Sequence, residues 1–170
     1  MPELPEVEVV KRSLKKKILN LNIKKVQIID NKLRYEIKKE IHSKLIGKKI
    51  KKIKRRSKFL IFEIGGTHLM LVHLGMTGKF FFIDQNKEKF KTSFYYFFDY
   101  KKDQKHNRVI FFLEKKQKLI YNDVRKFGFI KLYQSNDKSI ISHLKNLGPE
   151  PLEKNWNFKY FKNYIKNRER

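Results

Sequence analysis

Apolar residues step by threes and fours along the first part of the chain: Val7, Val10, Leu14, Ile18 and Leu21, with Lys11, Arg12, Lys15 and Lys16 between them. That spacing predicts an amphipathic helix from Pro5 to about Leu21. The pattern then shortens. Residues 23–29 and 33–37 read as strands around an Asp30-Asn31 turn, and residues 38–46, ended by Gly47, as a short helix. Short apolar or alternating runs follow at 49–56, 58–64, 69–72, 80–83, 93–98, 109–113, 118–121 and 129–133. Turn residues such as Gly65-Gly66 separate them, and the charged stretches 84–92 and 99–107 read as loops. A helix is expected over 139–147, stopping at Gly148, and a last basic, aromatic-studded helix over 157–170. The expected class is α+β, mainly β: a β-sandwich flanked by the N-terminal helix and a second one. Residues 1–147 form the main domain, and 148–170 a linker, Gly148-Pro149-Glu150-Pro151, with one further helix.

Composition changes this picture in one respect. At 170 residues with 40% hydrophobic content the chain can bury a real core. Cysteine is absent, the five His show no metal-ligand spacing, and no apolar run approaches a membrane span. No metal, cofactor or membrane is therefore expected. The formal net charge is +25, which calls for a polyanionic partner, nucleic acid first. Only eight of the 42 basic residues are Arg, and Lys, Asn, Ile, Phe and Tyr are all plentiful. That usage is the one expected of AT-rich coding DNA, so the bulk charge alone is moderate evidence for such a partner.

The first residues carry the chemistry. They read Met1-Pro2-Glu3-Leu4-Pro5-Glu6-Val7-Glu8. Trimming Met1 leaves Pro2 with a secondary α-amine, which attacks a carbonyl to give an iminium cation. A free α-amine titrates at roughly 7.7–8.0, and the positive end of the following helix disfavours its protonated form. Pro5 suits a first helical turn, with Glu6 and Glu8 at the dipole end. Glu3, beside the amine, is the natural proton shuttle.

The string from Pro2 to Glu8 resembles the N-terminal signature of the formamidopyrimidine-DNA glycosylase family, base-excision enzymes acting on oxidised purines. Further matches recur in the family's order. Arg55-Arg56-Ser57-Lys58-Phe59-Leu60 resembles the context of the family's catalytic lysine, so Lys58 is implied to contact the damaged nucleotide's phosphate and assist proton transfer. Arg55 and Arg56 are expected to add positive field around it. His73-Leu74-Gly75-Met76-Thr77-Gly78 and Asp123-Val124-Arg125-Lys126-Phe127-Gly128 resemble the two turns that fill the gap left by an extruded base. Met76 and Phe127 would wedge there while Arg125 bonds the orphaned base. His106 resembles a phosphate-binding His, and Glu6 is implied as a secondary active-site residue.

The implied function is a DNA glycosylase and AP lyase, with Pro2, Glu3 and Lys58 catalytic and DNA contacts from Met76, His106, Arg125 and Phe127. Its partner would be double-stranded DNA carrying oxidised-purine or abasic lesions, in the cytoplasm at the nucleoid. The family continues past the linker into a helix-two-turn-helix domain and, usually, a zinc finger. Residues 148–170 match only the linker and first helix, so a truncated, impaired enzyme is expected. The alternative is an inactive remnant that binds nucleic acid non-specifically. A ribosomal-type RNA binder would explain the charge but not the heptad or the turns. Trp156, Phe158, Tyr160, Phe161, Tyr164 and Ile165 leave the last helix more apolar than an isolated helix needs, so fraying or weak self-association is expected there.

Overall fold

The computed structural model describes residues 2–84, 89–91 and 104–166. Helix α1 (Leu4–Ile18) points Val7, Val10, Leu14 and Ile18 into the core, the face its spacing predicts. Full burial of each such side chain contributes about 1.5–3 kcal/mol. Strand β1 (Ile23–Ile28) and the short helix α2 (Ile41–Leu45) follow, then β2 (Ile50–Arg56), β3 (Phe59–Ile64), β4 (His68–His73), β5 (Lys79–Ile83) and β6 (Lys89–Lys91). Strands β7 (Asn107–Leu113), β8 (Lys118–Asn122) and β9 (Phe129–Gln134) complete two antiparallel sheets, with orders β1-β7-β8-β5-β6 and β2-β3-β4-β9. Helices α3 (Ile141–Leu144) and α4 (Phe158–Lys166) come last.

The sheets face each other across one core, joined by contacts such as Phe62 on Phe80, 6.1 Å between ring centroids. Helix α1 lies along β2 and β3, and α2 against β1. A smaller cluster of Leu71, Phe129 and Ile140 packs on the outer side of the four-stranded sheet.

Three expectations change. Residues 33–37 form no strand: Leu33 and Ile37 both donate N–H bonds to the Asn31 carbonyl, and Ile37 turns into the core. The chain there coils around Asn31 and pairs with no strand edge. Residues 89–91 form a strand where a loop is expected, because Phe81, Phe82 and Ile83 of β5 provide an edge. The expected helix over 139–147 is a single 3-10 turn (Lys138–Ile140) followed by the four-residue α3. The expected strand at 93–98 and the last four residues of the expected final helix lie outside the described residues.

Sheet register decides where the loops go. In the four-stranded sheet Arg56, Phe59, His73 and Phe129 form one row of cross-strand partners. The Ser57-Lys58 turn, the loop after β4 and the loop before β9 therefore all leave from the same end. In the other sheet Lys79, Asn122 and Asn107 form the matching row. Residues 74–78 and 123–128 are thus two of the crossings between the sheets, side by side at one end of the sandwich.

Candidate active site and nucleic-acid interface

Helix α1 begins at that same end. Glu3 takes an extended conformation ahead of the first turn, and its N–H donates to the Glu6 carboxylate at 2.9 Å. Glu6 thereby satisfies a backbone donor that the helix start leaves open. Pro2 is buried directly before this cap, at the positive end of the helix. Lys58 sits at the tip of the two-residue β2–β3 turn, where Ser57 adopts φ +51°. Its ammonium reaches the Glu3 carboxylate at 3.0 Å. Residues 55 positions apart in sequence are thus held together at the Pro2 end of α1. Glu3 stays largely open to solvent, so this contact orients more than it stabilises.

The two arginines before Lys58 do something else. Arg55 pairs with Glu8 at 2.8 Å and with Glu150 at 2.6 Å, while Arg56 pairs with Glu150 at 3.0 Å and donates to the carbonyls of Leu147 and Gly148. The Ser57 N–H completes the set, donating to Glu150 at 2.6 Å. Burial pushes the Glu8 carboxyl up, but its bonds to Lys11, Arg55 and Arg12 outweigh this and bring it down to about 2. Burial likewise works against Glu150, and the Ser57 N–H and both arginines hold its pKa below the usual glutamate value. Arg55 and Arg56 fasten the linker to the Ser57-Lys58 turn. Their charge is spent on carboxylates, which replaces the expected field on Lys58.

Opposite this corner the two crossings form one body. Gly75 takes φ +62°, and a Cβ there would meet the backbone of Phe127 and Gly128 at 2.5 Å. Only glycine allows the loops to approach so closely. Beneath them the Tyr121 hydroxyl donates to the His73 carbonyl at 3.4 Å, in the space a Cβ on Gly128 would fill. Fully buried Asp123 accepts from the Thr77 hydroxyl at 2.5 Å with one oxygen and from the Gly128 N–H at 2.9 Å with the other. Thr77 in turn accepts the Arg125 N–H at 3.0 Å. Arg108 donates to the Asp123 carbonyl and to Asp30, and Asp30 also pairs with Lys126 at 2.7 Å.

What this frame exposes is Met76, Arg125 and Phe127. Met76 is 37% accessible and Phe127 46%, although both are large apolar side chains. The Arg125 guanidinium stacks on the Phe127 ring at 4.7 Å. With Arg34, His73, Gly75 and Lys126 they line an open cavity of about 670 Å³. The His73 ring stacks on Phe129 and accepts the Gly75 N–H at 3.0 Å, which fixes the proton on its other nitrogen. Burial, then Arg34 and Lys58, lower its pKa, so the neutral ring is favoured. His106 lies in the 3-10 turn (Gln104–His106) before β7, its carbonyl accepting the Asp123 N–H. It therefore sits at the same end of the sandwich. Among the described residues no group of His, Asp and Glu is arranged to hold a metal ion, and no helix is long and apolar enough to cross a membrane.

Residues 1–130 match the model of the formamidopyrimidine-DNA glycosylase N-terminal domain. The chain belongs to the formamidopyrimidine-DNA glycosylase family. The family's enzyme from Rickettsia bellii (strain OSU 85-389) is 35% identical over 170 residues, 99% of this chain and 56% of that protein. That of Ligilactobacillus salivarius (strain UCC118) is 38% identical, covering all of this chain and 56% of the relative. The chain thus spans about half the length of the relatives it matches. Among solved structures, Lactococcus lactis Fpg in complex with DNA containing an abasic site superposes with a TM-score of 0.78 at 31% identity. The match covers 98% of this chain and 57% of that one. A second complex of the same protein, with N7-benzyl-Fapy-dG-containing DNA, gives 0.77 at 32%.

Of the residues named from sequence, the structure brings Pro2, Glu3, Glu6 and Lys58 to one corner and Met76, Arg125, Phe127 and His106 to the loops of the same end. Sequence reasoning missed Thr77, Asp123 and Asp30, which hold the loops, and the grip of Glu150 on both arginines. The signal for Asp123 and Glu150 was present: an acidic side chain in a basic chain, set against apolar neighbours, needs a partner.

Proposed function

We propose that this chain excises oxidised purines from double-stranded DNA and cleaves abasic sites, with Pro2 as nucleophile. The observation that carries the reading is the corner where Pro2, the Glu3 carboxylate and the Lys58 ammonium meet at the start of α1. With Met1 removed, the Pro2 amine attacks C1′ as the C1′–base bond breaks and the base leaves. Glu3 protonates the sugar's ring oxygen as the ring opens, leaving an iminium between Pro2 and C1′. Lys58 holds the nucleotide's phosphate and keeps Glu3 oriented. The iminium acidifies the C2′ proton. Its loss expels the 3′ phosphate by β-elimination, and a δ-elimination releases the 5′ phosphate in the same way. Met76, Arg125 and Phe127 enter the duplex where the base has left, and His106 contacts a phosphate.

Borohydride reduction of the iminium tests this on abasic duplex. A covalent protein–DNA adduct is expected from protein lacking Met1, lost in Pro2→Gly and retained in Lys51→Ala, whose side chain lies at the far end of β2. Absence of any adduct overturns the reading. Equal binding of damaged and intact duplex, with steep salt dependence, would instead identify a non-specific nucleic-acid binder.

A further inference from the structure

The two crossings hold three side chains that must enter one gap in the duplex, and they are bonded to each other through a single side chain. Thr77, one residue after Met76, donates its hydroxyl to Asp123 and accepts the N–H of Arg125. Both lie in the first half of the short arc, residues 123–128, that carries the Arg125–Phe127 pair. The same Asp123 carboxylate closes that arc by accepting the Gly128 N–H. Gly75, on the other side of Met76, packs its backbone against Phe127 and Gly128. Lys126, at φ +59°, is tied to Asp30. The Met76 loop and the Arg125–Phe127 loop therefore cannot shift independently without breaking the Thr77 contacts.

From this we infer that Thr77 is a positioning residue that makes Met76, Arg125 and Phe127 insert as one unit. The inference rests on the proposed base excision from duplex. Thr77 touches no reacting atom; it sets the spacing between the Met76 tip and the stacked Arg125–Phe127 pair. The requirement for a joined wedge exists only where a base must be pushed out of a stack. Abasic single-stranded DNA has no partner strand to hold open.

Thr77→Val keeps the shape and removes both hydrogen bonds, whereas Thr77→Ser retains the hydroxyl. Borohydride trapping is compared on abasic duplex and on abasic single strand, with 2-aminopurine opposite the lesion reporting insertion by fluorescence. Thermal melting of each variant monitors folding, and exchange of the Arg125 amide hydrogen is followed without DNA. Thr77→Val is expected to lower the duplex-to-single-strand trapping ratio by about tenfold, the order of one lost hydrogen bond to a charged group. The 2-aminopurine signal falls with it, the Arg125 amide exchanges faster, and Thr77→Ser restores all three. Equal loss on both substrates, an unchanged ratio, or no rescue by serine overturns the inference. Failure of the unmodified chain to trap either substrate defeats the Pro2 chemistry alone. The Arg125 amide and the 2-aminopurine response then decide the coupling, and unchanged values in Thr77→Val overturn it.

Discussion

The first and last helices carry the same kind of sequence pattern and meet opposite fates. Helix α1 buries Val7, Val10, Leu14 and Ile18 almost completely, while α4 buries nothing and leaves Phe158 77%, Phe161 46% and Ile165 53% accessible. The apolar side of α4 is at least as sharply segregated. Its aromatics meet one another and Trp156 just ahead of the helix, Trp156 lying 5.6 Å from Tyr160 and 6.1 Å from Phe161, with the Tyr160 hydroxyl against Gly148. An amphipathic stripe states that a face wants cover, not that the chain at hand supplies it. Helix α1 has β2 and β3 to lie on; α4 is attached through a clamp made of one carboxylate and two arginines.

The largest expected effect strikes the buried helix. Leu14→Ala should cost about 3–5 kcal/mol, because a cavity opens where the surroundings collapse only in part. Denaturant unfolding measures it, and a loss under 1 kcal/mol would mean that α1 is not part of the core. Next comes the clamp. Glu150→Ala takes one acceptor from each of two arginines and from the Ser57 N–H, and should cost about 2–3 kcal/mol. Unlike Leu14→Ala, it should speed amide exchange from Leu147 through α4 more than in the sheets. Acid should reproduce part of this. Glu8 and Glu150 both have lowered pKa values in the fold, so their stabilisation is full above the ordinary glutamate range and is lost as pH falls, for Glu8 down to about 2. Melting temperature should therefore fall with acidification below about pH 4.5, and less so in Glu150→Gln. An acid profile unchanged by that substitution would contradict the clamp. The smallest effect falls on α4: Phe161→Ala should change stability by no more than about 0.5 kcal/mol. Amides of residues 158–166 should exchange faster than those of α1, and equal protection in a dilute monomer would close the contrast between the helices.

Much of the fold was legible because the chain states it locally. The 3.6-residue stripe of α1 and the short apolar runs gave nearly every described strand to within two residues. Residues 33–37 misled because Leu33, Tyr35 and Ile37 alternate like a strand, yet Tyr35 stacks edge-on to Phe129 and Ile37 goes to the core with no strand to pair with. Periodicity records which side chains seek burial and is silent on backbone partners. The site divides the same way. Pro2, Glu3 and Lys58 were readable from motif and chemistry, and so were the exposed tips Met76, Arg125 and Phe127. The tethers were not. Thr77 with Asp123, 46 positions apart, and Arg55 with Glu150, 95 apart, are long-range pairs that only the closed sandwich brings within bonding distance. Arg55 and Arg56 look like part of a cationic pocket in sequence. In the fold they face Glu8 and Glu150.

The central proposal is that the Pro2 amine at the start of α1, and no lysine, is the nucleophile. The direct measurement is peptide mass mapping of the adduct formed with abasic duplex under borohydride, using protein with Met1 removed. The account predicts the reduced sugar fragment on the N-terminal peptide, at the Pro2 nitrogen, with the yield lowered but the site unchanged in Lys58→Ala. An adduct carried by Lys58 or any other lysine, with an unmodified Pro2 peptide, would contradict it.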